Sequence, residues 1–228
     1  MMKYLTSTWV AAIGALLLVA LFVYNPSPIQ VLQLKTFDYL ISSLPEKQSK
    51  EVVIVNIGEK SVEKYGQWPF DRKDIADVVK KLYDNGAMMV VAPILFSEKD
   101  RAGHDEELTK QVDGMVLAQV PTTQNSKPDS VRRGFAAIGP IDPVTSVYRW
   151  SGGLRPLDEY ASAAAGVGVV ATVPEVDGVV RRMPLVVSIA GNLYPSLPLE
   201  SIRVAAGDPS YQIKTNEFGI EAVRIPAF

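Results

Sequence analysis

The 228 residues predict an α/β fold: an N-terminal transmembrane helix, then a mixed, partly parallel sheet with covering helices and C-terminal hairpins. Three observations carry this expectation. The run from Tyr4 to Tyr24 holds no charged residue. Short apolar runs rich in β-branched residues alternate with an amphipathic helical pattern between Val52 and Val120, as in strands buried on both faces. Beyond Gly166, apolar runs are broken by Asp177-Gly178, Gly191-Asn192 and Asn216 to Gly219, which suits hairpins.

Composition narrows the function classes. With 47% hydrophobic and 21% charged residues, the chain can bury a full core. A net charge of −2 argues against nucleic acid as a partner, because that needs a dense basic face. The largest basic clusters are only pairs, among them Lys80–Lys81, Arg132–Arg133 and Arg181–Arg182. There is no cysteine, hence no disulfide, thiolate nucleophile or cysteine-bound metal.

The elements follow in order. As a helix, Tyr4 to Tyr24 would rise about 30 Å, enough to cross the hydrocarbon core. Lys3 precedes it, which places the N-terminus in the cytoplasm and the rest outside. Trp9 and Tyr24 stand near its two ends, and Leu21 to Pro26 lacks the small-x-small pattern of a cleaved signal. An uncleaved anchor over residues 1–28 is therefore expected, with the lipid bilayer as partner and an extracytoplasmic domain over 29–228. For a bacterial chain this means the inner membrane and the periplasm. Pro26 and Pro28 break the anchor helix, and Ile29 to Leu44 reads as a second helix. Pro45 to Lys50 is a polar linker.

Val52 to Val55 reads as a buried strand. Asp71 caps a helix to about Asn85, whose stripe is Ile75, Val78, Val79 and Leu82. Met88 to Val91 resumes a strand, so a βαβ unit with parallel strands is expected here. A helix from about His104 to Val112 leads into a strand from Met115 to Val120. Thr122 to Arg133 reads as a polar loop and Tyr160 to Ala165 as a short helix. Val167–Val176 and Val179–Ile189 read as hairpin arms around Asp177-Gly178. A helix from about Ser196 to Ala206 and a hairpin from Gln212 to Ile225 complete the pattern. The chain reads as C-terminally incomplete, because it stops at Phe228 without a polar tail.

An ordered series of blocks resembles a known family. It begins with Phe37-Asp38, Val52–Ile57, Gly58-Glu59-Lys60-Ser61 and Gly66-Gln67-Trp68-Pro69-Phe70-Asp71-Arg72. It continues with Leu95-Phe96-Ser97-Glu98, Asp105-Glu106-Glu107-Leu108, Val176 to Leu185 and Tyr194-Pro195-Ser196-Leu197. The family is the second type of the cyclase- and histidine-kinase-associated sensory extracellular domains. The resemblance implies an extracytoplasmic sensory module of a membrane-bound signalling protein, with a cytoplasmic cyclase, kinase or related output. It also implies that dimers are common among such proteins. Asn56 and Pro93 stand where the family usually carries Asp, which weakens any transfer of ligand chemistry.

Ligands of open parallel sheets bind beyond the C-terminal strand ends. Asn56, Glu59 and Ser61 follow the first expected strand, and Trp68 and Arg72 could add an aromatic wall and a fixed charge. These five are the candidate ligand-binding residues; the alternative is that Trp68 fills the core edge and Arg72 orients the loop. His104 to Glu107 reads as the acidic first turn of a helix rather than a metal site, since a single histidine offers little to zinc. Gly166-Val167-Gly168-Val169-Val170-Ala171 has the spacing of a dinucleotide loop, but a helix precedes it and a strand follows. Its glycines are expected to permit close packing instead. Of Arg181 and Arg182, at most one faces outward, and the other needs a buried partner or an edge.

No nucleophile motif, phosphate loop or HExxH is present. No cofactor is expected, and an enzyme is unsupported. The expected function is to bind an unknown small ligand or envelope component and relay the signal across the membrane. The alternative is an interaction module for an envelope protein or polymer, without a small-molecule pocket.

Overall fold

The computed structural model describes residues 8–46, 49–130 and 134–227. They form two compact units, Met1–Val55 with Pro174–Arg181 and Asn56–Val173 with Arg182–Phe228. The first unit contains α1 (Thr8–Tyr24) and α2 (Ser27–Ser42), bent by 81° at the expected Asn25-Pro26 break. Pro28 lies in the first turn of α2, where its missing N–H is harmless. Neither helix buries a residue. No single described helix is long and apolar enough to cross a membrane; α1 and α2 meet that test only as a bent pair. The start of the expected anchor, through Ser7, lies outside the described residues, as does the Arg132–Arg133 pair.

The second unit opens with α3 (Glu59–Tyr65) and α4 (Arg72–Asp84). Asp71 caps α4 as expected, its carboxylate accepting the Lys73 N–H at 2.8 Å. Then come β1 (Val90–Ala92), α5 (Asp105–Thr109), β2 (Met115–Thr122), β3 (Phe135–Ile138), β4 (Arg149–Trp150) and β5 (Gly152–Leu154). They are followed by α6 (Asp158–Ala163), β6 (Gly166–Val169), β7 (Val186–Ile189), β8 (Asn192–Pro195), α7 (Leu197–Ala206), β9 (Tyr211–Asn216) and β10 (Gly219–Arg224). In the central sheet β2 lies between β1 and β6, parallel to both, and its outer end pairs antiparallel with β5. Two smaller sheets run β10-β9-β3 and β4-β7-β8. The mixed, partly parallel architecture agrees with expectation, as do the positions of α7 and the β9–β10 hairpin; the Ser196 cap of α7 is a finding of the structure.

Two expected pairings do not form. Val52–Ile57 forms no regular element and has no ladder partner among the described residues, and Val53 and Ile54 are 83% and 88% exposed. A β-branched run favours extended backbone by itself, whereas a ladder needs a non-local edge. The βαβ crossover is therefore β1–α5–β2, one strand later than expected. The Asp177-Gly178 turn does form, with Gly178 at φ 79° and its N–H donating to the Glu175 carbonyl at 2.9 Å. Its arms form no hairpin ladder. β6 is recruited by β2, and β7 turns back at Ala190-Gly191, both at positive φ, to pair with β8.

The core around β2 joins Ala76 and Val79 of α4, Phe96, Leu108 and Val112 to Met115, Leu117, Tyr160 and Val167. On β6 the glycines have a packing cause, as anticipated. A Cβ at Gly168 would lie 2.5 Å from the Leu197 Cα, and one at Gly166 would collide with the Glu200 carboxylate. Helix α7 thus lies on β6 at a distance only glycine permits. Gly168→Ala is expected to destabilise by about 1–3 kcal/mol, because backbone must shift. Gly134→Ala, with nothing within 4 Å of the new Cβ, should be near neutral in the same denaturant titration.

Candidate functional site

The parallel strands β1 and β2 deliver their loops to one end of the sheet, and a polar cluster is assembled there. After β1 the chain runs through Phe96 to His104, and Asp105 opens α5. Asp105 is buried and organises this loop: its two carboxylate oxygens accept the Asp100 N–H at 3.1 and 3.0 Å, and the Tyr160 hydroxyl donates to it at 2.5 Å. Burial and the Asp105 carboxylate push the Tyr160 hydroxyl above its ordinary pKa. The Leu157 N–H donates to the Phe96 carbonyl at 2.8 Å, which ties the start of α6 to the same loop. These bonds make the segment a rigid support for its outward-facing groups.

Arg72, at the start of α4, is 8% exposed. Its guanidinium lies over the Phe96 ring at 4.8 Å and donates to the Glu98 carbonyl at 3.3 Å, while its Nε has no hydrogen-bond partner among the described residues. Trp68 is 39% exposed and packs edge-on against Phe70 at 5.1 Å, with Tyr65 on that ring at 5.6 Å. Asn56 and Glu59 are exposed and Ser61 is half-buried. Among the described residues no hydrogen bond, ion pair or ring contact joins these three to Arg72. The structure therefore brings Trp68 and Arg72 near one helix start, and leaves Asn56, Glu59 and Ser61 before and along α3.

A grouping that sequence reading missed lies beside Arg72. The Nδ1 of His104 is 2.8 Å from both carboxylate oxygens of Asp71 and 3.9 Å from one oxygen of Asp100, whose Oδ2 also accepts the His104 N–H at 3.0 Å. His104 and Asp71 are 33 residues apart, so their meeting has no local signature. The Asp71 hydrogen bond leads the effects that raise the His104 pKa above 6.5, with partial burial opposing it and Glu107 and Asp100 adding attraction. Burial opposes ionisation of Asp71, but the Lys73 N–H and His104 outweigh it and hold that carboxyl below 3.8. One ligand atom from each of Asp71, Asp100 and His104 falls within 4.8 Å of the others. These three are the described residues best placed to hold a cation. The His104–Asp71 ion pair accounts for their geometry without one.

Two opposite pH dependences meet in this pair. The raised His104 pKa contributes stability at low pH that is lost as pH rises through it. The lowered Asp71 pKa contributes stability that is lost as pH falls through it. The contact is therefore strongest between the two values. His104 is the only histidine, so one imidazole resonance reports it. That resonance should titrate above pH 6.5 in the wild type, and Asp71→Asn should move its midpoint to lower pH. An unchanged midpoint would show that the pair does not persist in solution.

The family model described as the CHASE2 domain matches residues 13–227. No curated protein and no solved structure matches the chain.

Proposed function

The chain belongs to the CHASE2 domain family, a family of sensory domains, and on that premise we propose that it is the extracytoplasmic sensor of a membrane-bound signalling protein. In this reading α1 is the anchor in the inner membrane, the second unit receives the signal on the periplasmic side, and α2 relays it toward a cytoplasmic output. The observation that carries the anchor is the character of α1. All 17 residues are uncharged and none is buried, and their rise of about 25 Å approaches the hydrocarbon thickness. A helix apolar on every side, with no protein around it, suits lipid rather than a folded core. Residues before Thr8 can lengthen the span.

The proposed ligand site lies beyond the C-terminal ends of β1 and β2. Arg72 and Trp68 form its inner part, and Asn56, Glu59 and Ser61 its approach. A ligand signals only if it binds one conformation better than another. A second reading, an interaction module for an envelope protein or polymer, is favoured by a specific observation. Val52 to Ile57 and the Asp177-Gly178 arms expose β-branched and apolar side chains, including Val55 at 53%, Val176 at 51% and Leu185 at 53%.

The cysteine-free chain allows a direct test of the anchor. In a reconstituted bilayer, Leu18→Cys should resist a water-soluble thiol reagent while Lys73→Cys reacts; equal labelling would remove the anchor. The ligand reading is tested by thermal shift with small metabolites, cations and envelope fragments. A dose-dependent rise in Tm marks a ligand of the folded state. Retention of that shift in Arg72→Lys, Glu59→Gln and Trp68→Phe alike would place the ligand elsewhere, and a response to envelope fragments alone would favour the interaction module.

A further inference from the structure

The first unit is held by one polar device. Arg181, the residue after the Asp177-Gly178 turn and its two valines, has a side chain only 5% exposed. Its guanidinium is grasped on two edges. The Nε donates to Asp38 Oδ1 at 2.7 Å and Nη2 to Asp38 Oδ2 at 2.8 Å. On the other edge, Nη1 donates to Asp177 Oδ1 at 2.8 Å and Nη2 to Asp177 Oδ2 at 2.7 Å. Asp38 belongs to α2 and stands 143 residues from Arg181 in sequence, whereas Asp177 is only four residues away. Lys35, one turn before Asp38, lies 3.9 Å from Asp177.

The two halves of this clamp are not equivalent. Asp177 is 9% exposed and is further fixed by accepting the Val179 N–H at 3.2 Å within its own turn. Asp38 is 43% exposed and sits on a helix that buries no residue. The local half presets the guanidinium, while the distal half meets water on a helix whose apolar side chains are at most half-buried. Removing Asp38 leaves Arg181 with a carboxylate partner, so no buried charge is stranded. That makes opening cheap compared with breaking a fully buried pair. A planar fork is required throughout, because an ammonium cannot bind two carboxylates bidentately.

We propose that the Asp38–Arg181–Asp177 clamp is the releasable joint of the relay. Arg181 stays on Asp177 in both states, and its bond to Asp38 closes when α2 is docked on the turn and opens when α2 is freed. The inference rests on reading α2 as the lever of a membrane-anchored sensor, and it gives that lever the two-state contact that transmission requires.

The experiment uses the full chain carrying spin labels at Gln33→Cys on α2 and Val180→Cys beside the turn, both exposed positions in the same unit. Distances are read by pulsed electron paramagnetic resonance. The wild type should give one narrow distribution. Asp38→Asn and Arg181→Lys should each raise a longer-distance population about tenfold, without changing the thermal unfolding of the second unit. Lys35→Ala, which removes only an exposed charge outside the fork, should resemble the wild type. Narrow, unshifted distributions in both clamp variants would overturn the proposal. Equal broadening in Lys35→Ala would also overturn it, since generic charge would then hold the helix. Repeating the comparison in detergent micelles and in bilayers separates the two readings. Failure of α1 to enter the bilayer counts against the anchor, while the micelle distances still decide the clamp.

Discussion

The second unit depends on a buried ion pair at Glu200 and Arg203, one turn apart on α7. Glu200 is 2% exposed and Arg203 5%. Such a pair is tolerable only if every donor and acceptor is satisfied, because removing both charges from water is expensive. Here Arg203 donates through Nε at 2.9 Å and Nη2 at 2.8 Å to the Glu200 carboxylate. Its other contacts are the Asp208 carbonyl through Nη1 at 2.6 Å and the Ala165 carbonyl at 3.4 Å. The Tyr211 hydroxyl completes Glu200, and burial with that carboxylate pushes the phenol above its ordinary pKa. One knot thus joins α7 to the chain before β6, the Asp208 turn and the start of β9. Asp208 extends it by accepting the Ala227 N–H at 2.7 Å.

That knot explains why parts of the fold were legible and others were not. The cap of α4 and the β9–β10 turn are set by residues within a few positions, so Asp71 and Asn216 to Gly219 announced them. The fate of Val167 to Ile189 is decided elsewhere. Two β-branched runs around Asp-Gly read locally as a hairpin, but Gly166 and Gly168 let α7 and Glu200 approach β6, and β2 offers β6 a parallel edge. Non-local packing overrode a turn signal that was itself correct. The same holds for Val52 to Val55, whose composition specifies extended backbone and nothing about its partner.

The candidate site divides in the same way. Arg72 and Trp68 could be singled out because Gly-Gln-Trp-Pro-Phe-Asp-Arg is a compact block ending at a helix cap. Asp71 was visible only as that cap. Its second role, facing His104, depends on the loop after β1 folding back over α4, and no spacing in the sequence encodes that. The acidic run after His104 forms the first turn of α5, as expected, and none of its carboxylates hydrogen-bonds the imidazole. Asp105 turns inward to hold the loop, while Asp100 and Asp71 supply the carboxylates that the imidazole meets. Asp71 and Asp100 thus bring acids to the loop after β1.

The contrast between the units bears on how a signal could travel. The second unit holds several buried polar groups in networks, Asp105 with Tyr160 and Glu200 with Arg203 and Tyr211. Such packing resists small deformations and passes a displacement on rather than absorbing it. The first unit has two helices with no buried residue and an ionic clamp whose outer carboxylate faces water. In the proposed relay the second unit would be the rigid receiver and α2 the part that moves: binding energy can be converted to motion only where the alternative arrangement is a few hydrogen bonds away. Arg181 lies at the chain position where these regimes meet, since Arg182 already belongs to the second unit.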